Sequence, residues 1–341
     1  MKKLIRQFLI KNTESKTINI KDKLPKSNIA NQELYYKILS FGKKNPNKIF
    51  YVIQRAGGGG MFSNLNYVLH HLYISDKLGF IPVIDMENYK TYYNENLSVN
   101  GTKNSWNYYF EPVSKYSLKE VYSSKQVIIT DGKTRGNFLF DGYDKLSFEH
   151  KKIFYKFIKI KKSIILEKNN FIKKNFKNKK ILGIHFRGTD QKTAQRHPFP
   201  ATKKQMINLI DSLNKKYNYD KIFLATEEKD YYDLLKKRYS NLIHYSKHFT
   251  KKRNIFFEDR RGVRFQLGKE VIIDMMLLSN VNHLIGVRSN VVLAAKYFSK
   301  KNIKYFEIKN GFNSNNFFIA SFKWYLKSIL PHFLGGFKTK F

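Results

Sequence analysis

An arginine and an aspartate three residues apart, just past an apolar run, are the strongest chemical signal in the chain. Ile181-Leu-Gly-Ile184 leads into His185-Phe-Arg187-Gly-Thr-Asp190. The run reads as a buried strand, so Arg187 emerges at its carboxyl end. A guanidinium fixed there suits two-point contact with a pyrophosphate, and Asp190 either holds that arginine or touches a substrate. Beyond it, Arg196-His197-Pro198-Phe199-Pro200 places a histidine in a proline-stiffened loop, where His197 reads equally as structural or catalytic. Asp274 is the one carboxylate within the apolar run Val271–Leu278. Buried and unpaired it would be costly, so it either meets a partner, such as the paired donors of guanine, or lies toward the first turn or the surface. Ser289 and Asn290 stand between a strand and the next helix. That is a natural cap position, and also a place where a phosphate can sit on free backbone N–H groups. Gly57-Gly-Gly-Gly60-Met-Phe-Ser-Asn64 joins a strand to a helix. Gly58, Gly59, Gly60 and Asn64 are candidates for a substrate-binding loop, with a tight packing turn as the other reading.

Several chemistries lack their residues. The glycine loop has no third glycine of a dinucleotide fingerprint (Phe62 or Ser63 falls there) and no Gly-Lys-Ser/Thr follows. There is no Asp-x-Asp, no His-Glu-x-x-His and no Gly-x-Ser-x-Gly. A metal-dependent sugar transferase of the Asp-x-Asp type, a zinc protease and a serine hydrolase are therefore disfavoured. With no cysteine, disulfides, zinc thiolates and cysteine nucleophiles are excluded. If a diphosphate leaves, side-chain cations and helix dipoles must neutralise it, and no metal is expected.

The elements that must position these residues follow a βαβ rhythm. Lys48–Arg55 reads as a strand, Met61–Leu78 as a helix and Phe80–Met86 as a strand. Gln32–Phe41 reads as a short helix in a polar lead-in, and 87–142 as irregular. After a basic helical region, 146–177, the rhythm restarts: strands at Lys180–Phe186, Lys221–Thr226, Leu242–Tyr245, Asn282–Val287 and Ile303–Ile308, with helices between. This predicts an α/β chain of two Rossmann-like domains facing a cleft, with ligands beyond the carboxyl ends of the strands. The expected boundaries are 1–175 for the first α/β domain, 176–315 for the second and 316–341 for a helix and tail.

The 341 residues are 42% hydrophobic and 16% aromatic with 7 prolines, enough for large cores and unlike a disordered or collagen-like chain. No run is long enough to span a bilayer, and the apolar stretch Phe8–Ile10 is too short for a signal peptide, which predicts a cytosolic protein. Lys plus Arg is 64 against 26 Asp plus Glu, a net +38. Such a surplus attracts polyanions or anionic membranes, or reflects compositional drift in a chain rich in Lys, Asn, Ile, Phe and Tyr. No nucleic-acid motif accompanies it, so no specific nucleic-acid partner is expected.

Three blocks together, His185-Phe-Arg187-Gly-Thr-Asp190, Leu224-Ala-Thr-Glu-Glu228 and Glu270–Asn290, resemble the motifs of the superfamily that contains α1,6-fucosyltransferases, nodulation fucosyltransferases and protein O-fucosyltransferases. The match runs over about residues 180–300, and the glycine loop resembles the family's N-terminal motif more loosely. The resemblance implies a metal-independent, inverting GT-B glycosyltransferase using GDP-fucose, with the nucleotide-sugar's GDP in the C-terminal domain, 176–315, and the acceptor against the N-terminal one, 1–175. It implies that His185 contacts guanine through its backbone and Arg187 holds the β-phosphate. It further implies that Asp274 accepts from guanine and that Ser289 with Asn290 and Val291 binds phosphate. Two positions depart from the α1,6 branch. Gln195 replaces a glutamate that serves as general base, leaving His197, Asp190, an N-terminal residue such as Asp85, or no base at all. Gly188 replaces a second arginine. The rival readings are another GDP-sugar donor, and an inactive binder of glycans or polyanions.

Near the end, Phe318, Phe322, Tyr325, Leu326 and Ile329 share one helical face, with Lys323 and Lys327 off it, before Pro331 and Gly335-Gly336. Such a helix either packs back on the protein or lies on an anionic membrane. The second reading implies a lipid-linked acceptor, for polysaccharide or lipopolysaccharide, at the inner face of the plasma membrane.

Overall fold

The computed structural model describes residues 16–19, 35–130, 142–250 and 262–339. Two units divide the chain, Met1–Lys162 with Arg261–Gly268, and Ser163–Arg260 with Lys269–Phe341.

The N-terminal unit contains β1 (Lys16–Asn19), β2 (Tyr35–Leu39), β3 (Lys44–Ile53), α1 (Met61–Lys77), β4 (Ile81–Ile84), the short α2 (Leu118–Val121), β5 (Ser124–Ile129) and α3 (Phe148–Phe157). The sheet order is β1-β2-β5-β3-β4. β3 pairs parallel with β4 and β5, while β2 pairs antiparallel with β1 and β5. The expected β3–α1–β4 unit is present. β3 is buried on both faces from Phe50 to Ile53, as a strand covered from both sides must be. α1 is likewise buried along most of its length, and its His71 shares a hydrogen-bonded chain with two tyrosines: Tyr36 Oη lies 2.9 Å from Tyr51 Oη, which lies 2.8 Å from His71 Nδ1. Trp106, in a short 3-10 helix (Ser105–Tyr108), stacks on Phe110 at 4.3 Å and is 3% exposed.

Two sequence expectations are corrected here. Gln32–Phe41 is not a helix: the described part holds β2, in which buried Tyr36 and Ile38 flank exposed Lys37, a period of two, and Leu39 is buried as well. Residues 32–34 lie outside the described part. Within 87–142, read as irregular, β5 is the central strand of the sheet, placed between β2 and β3.

The C-terminal unit contains α4 (Lys162–Asn175, from its second residue on), β6 (Ile181–His185), α5 (Lys203–Tyr217), β7 (Lys221–Ala225), α6 (Lys229–Arg238) and β8 (Leu242–His244). α7 (Arg264–Leu278, from Lys269 on), β9 (His283–Gly286), α8 (Asn290–Phe298), β10 (Lys304–Glu307) and α9 (Phe317–Ile329) complete it. All five strands are parallel in the order β10-β9-β6-β7-β8. Numbered within the unit and read from β8, that is 3-2-1-4-5, the doubly wound order whose direction reverses between β6 and β9. Leu182, Ile184, Ile222, Leu224 and Ile285 pack against Met206, Ile210 and Leu213 of α5. Among the described residues no helix is long and apolar enough to cross a membrane.

Candidate active site

The crevice of a doubly wound sheet lies beyond the carboxyl ends of the strands at the reversal point. Here the loop after β6 carries Arg187 and Asp190, and the loop after β9 carries Ser289. Both flank that point. Arg187 Nη2 donates to Asp190 Oδ1 at 2.8 Å, and its Nε lies 3.0 Å from Glu227 Oε1 at the end of β7. The Thr189 hydroxyl donates to Asp190 at 2.9 Å, and its backbone N–H donates to Glu228 Oε1 at 2.8 Å. Lys192 Nζ is 3.3 Å from Glu228 Oε2. Burial raises the Asp190 carboxyl, but the Arg187 guanidinium and the Thr189 hydroxyl outweigh it and hold it below the ordinary aspartate value. Burial lowers His197, Asp190 raises it and Arg187 lowers it; the balance keeps this imidazole below its ordinary value.

Gly188 has no room for a side chain. A Cβ there would meet the Tyr231 hydroxyl and come within 2.7 Å of Glu228 Oε1 and Lys192 Cε. The ring of Tyr231 stacks on Phe186 at 3.7 Å, so it cannot easily yield. Gln195 donates its amide to the Asn315 carbonyl, and Arg196 Nε donates to Asn315 Oδ1 at 3.0 Å. With Asn313 N–H donating to the His197 carbonyl at 2.9 Å, these bonds tie the His197 loop to the segment before α9.

Asp274 is buried on α7. Ser246, in the loop after β8, donates to its Oδ2 at 2.7 Å, and Oδ1 has no hydrogen-bond partner among the described residues. Burial, helped by the neighbouring Glu270, pushes this carboxyl up to about 8 against the pull of Ser246. Glu270 itself accepts from His248, with Nδ1 at 2.8 Å. An open, buried acceptor of this kind is what a pair of N–H donors on a ligand would satisfy. Ser289 caps α8, its Oγ accepting from Val292 N–H at 3.3 Å and lying 3.4 Å from His185 Nδ1. Asn290 and Val291 form the first turn of that helix. Burial, then the Arg187 charge, lowers His185 to about 3, so its ring is neutral at physiological pH.

In the N-terminal unit, Gly57 and Gly58 take φ of 73° and 63°, the left-handed region open to glycine. A Cβ on Gly58 would lie 2.9 Å from Asn64 Oδ1. Asn64 is buried and folds the loop: Oδ1 accepts from Gly59 N–H at 2.8 Å, and Nδ2 donates to the Gly59 carbonyl at 3.2 Å. Gly60 is the N-cap residue of α1. Asp85 accepts from Glu87 N–H, Asn88 N–H, Asn88 Nδ2 and the Tyr122 hydroxyl between 2.8 and 3.1 Å, a carboxylate committed to its own turn.

The C-terminal unit thus joins Arg187 to Asp190, His185 to Ser289, and gives Asp274 a hydroxyl partner. Sequence reasoning quoted Glu227 and Glu228 within a motif but gave them no role, and it missed Ser246 and Lys192. An acidic pair directly after a strand was the available signal for the glutamates. Ser246 had none, being 28 residues from Asp274.

No protein-family model matches the chain. GDP-fucose protein O-fucosyltransferase 2 of Plasmodium berghei (strain Anka) is 24% identical over 123 residues, 36% of this chain. The chain spans about a quarter of the length of that curated relative. The α1,6-fucosyltransferase NodZ co-crystallised with GDP is similar in fold, with a TM-score of 0.53 and 15% identity over 78% of this chain and 98% of NodZ. Fucosyltransferase NodZ from Bradyrhizobium gives 0.52 and 14% over 79% of this chain and all of the other. The resemblance carried by the three motif blocks therefore holds for the fold as well: this is an α/β chain with the fold of the NodZ fucosyltransferases.

Proposed function

We propose that the chain is an inverting glycosyltransferase that moves fucose from GDP-fucose to a cell-surface glycan, without a metal ion. The observation that carries this reading is the placement of Arg187 and Ser289 on either side of the reversal point, in a fold shared with a fucosyltransferase co-crystallised with GDP. Guanine is held by Asp274, whose open Oδ1 takes one of the ring's paired N–H donors while Oδ2, already accepting from Ser246, takes the other, and by the backbone of His185. The diphosphate meets Arg187 and the first turn of α8 at Ser289, Asn290 and Val291. An acceptor hydroxyl attacks the anomeric carbon from the face opposite GDP. The bond from that carbon to the β-phosphate oxygen breaks, its electron pair stays on GDP, and the hydroxyl proton passes to a base. His197 suits that task better than Asp190, because its imidazole is neutral while the Asp190 carboxylate is stabilised by Arg187. The acceptor, a polysaccharide or lipopolysaccharide precursor, is lipid-linked.

A thermal-unfolding series with GDP, UDP and CDP tests the donor class. GDP alone should stabilise, by about 2.7 kcal/mol at a hundred times its dissociation constant, and Asp274→Ala should lose the effect. A shift with UDP or CDP, or with none of the three, would overturn the reading. Turnover unchanged by a chelator is the expected outcome for metal independence. Gly188, closed to any side chain where the α1,6 branch has an arginine, favours one second reading, a different GDP-sugar; turnover on a panel of GDP-sugars separates the two.

A further inference from the structure

α9 is turned inside out relative to an ordinary surface helix. Trp324 donates its Nε1 to the Pro200 carbonyl at 2.9 Å, and Ala320 is fully buried. The tail folds back beneath, where Phe337 lies 5.5 Å from Phe199 and 6.5 Å from Trp324 between ring centroids. Lys323 and Lys327 rest their ammonium groups over the rings of Phe199 and Phe337, at 5.8 and 5.4 Å. With that face fixed inward, the apolar stripe points to solvent. Phe318 is 76% exposed, Phe322 52%, Leu326 47% and Ile329 79%. At 100° per residue these four fall within an arc of about 80°. The next turn continues the stripe with Phe333 at 83% and Leu334 at 58%.

We infer that α9 and the turn at His332–Leu334 seat the protein on an anionic bilayer, lying in the interface with the stripe among the acyl chains. Charge selects this occupant. From Ile308 to Phe341 there is no Asp or Glu, and there are five lysines, at 309, 323, 327, 338 and 340. The chain as a whole carries +38. An apolar stripe in an acid-free segment meets anionic headgroups without a repelling group, and its burial adds to the electrostatic attraction of the basic chain. The inference deepens the functional reading above, in which the acceptor is lipid-linked, but the binding itself needs no nucleotide.

The test is co-sedimentation of the full chain with vesicles of phosphatidylcholine and phosphatidylglycerol, against vesicles of phosphatidylcholine alone. The expected result is binding to the mixed vesicles. Phe318→Ser with Phe322→Ser should lower the partition coefficient at least about tenfold per ring removed, with the protein still folded in a melting experiment because Phe318 is largely exposed and Phe322 about half. Ile329→Ser with Phe333→Ser should repeat the loss at the other end of the stripe. Retained binding in both pairs would mean charge alone acts, and would overturn the inference, as would no binding by the parent chain. A dimer in sedimentation velocity that Phe322→Ser abolishes, with vesicle binding unaltered, would assign the stripe to a second copy and overturn it too. Stabilisation by GDP is read separately, so failure at the membrane and failure of the donor reading are distinguishable.

Discussion

Two carboxylates share Arg187. With Glu228 and Lys192 the cluster holds two basic and three acidic groups, a net charge of −1. Surplus positive charge is therefore not what Arg187 offers a diphosphate; a guanidinium held in one orientation by two ion pairs is. Arg187→Ala should lower kcat/KM by an amount worth about 2–4 kcal/mol, measured alongside its melting temperature because two acids lose their counter-ion. Arg187→Lys should recover little, since an ammonium has no fork. Asp274 makes a different prediction. Its carboxyl is raised to about 8 in the free protein, while guanine N–H donors require the ionised form. GDP binding should therefore expel a proton, and affinity should rise with pH toward 8, by up to about tenfold per unit. Titration calorimetry at pH 6, 7 and 8 measures this, and Asp274→Asn should flatten the dependence. The Arg187–Asp190 pairing was legible because they lie three positions apart on one loop. The Arg187–Glu227 pairing was not. It follows from β6–β7 register, which sets His185 beside Ala225, so that residues two further along each chain face one another. Such register exists only once the sheet has formed.

Helix caps separate folding from binding at the scale of the element. Thr202 caps α5 in a reciprocal box with Gln205, at 3.0 and 3.1 Å, at the far end of the loop that carries Arg187. Ser289 caps α8 with one bond, from Val292 N–H. Either residue replaced by alanine should cost about 1 kcal/mol of stability in urea unfolding, but Ser289→Ala alone should also shrink the GDP-induced thermal shift. An undiminished shift would make Ser289 a cap and nothing more. All five parallel strands of the C-terminal unit were legible, because a strand covered on both faces is a largely continuous apolar run, as in Ile181–Ile184 and Leu284–Ile285. The same reasoning failed at β2 and β5. Within Tyr35–Leu39 only Tyr36–Ile38 alternates, and Ser124–Ile129 opens with Ser-Lys-Gln, so neither shows a period long enough to compete with a helical or irregular reading. The departure at Gly188 was visible as a letter, but its cause, the packed Tyr231 hydroxyl and Glu228, was not.

For the whole molecule, buried ionisable groups set the response to pH. Burial, with smaller contributions from His70 and Arg55, lowers His71 to about 3. The unfolded chain takes up a proton there near 6.5, whereas the folded one does not until about 3. His71 therefore contributes its full stability above pH 6.5 and loses about 1.4 kcal/mol per pH unit below it. Asp274 acts in the opposite sense: the folded chain keeps a proton that the unfolded chain gives up near pH 4, so its contribution is present in acid and lost as pH rises toward 8. Between pH 7 and 5 the stability of His71→Gln in urea should fall by about 2 kcal/mol less than that of the parent. The location of the two tryptophans makes that loss observable where it occurs. The chain has only two, Trp106 in the N-terminal unit with His71, and Trp324 in the C-terminal unit with Asp274. Trp324→Phe leaves an emission spectrum that reports the first unit alone, and Trp106→Phe one that reports the second. Coincident acid transitions in the two variants would mean a single cooperative protein. An earlier red shift from Trp106 would mean that the unit bearing His71 opens while the unit bearing His185 and Asp274 is still folded.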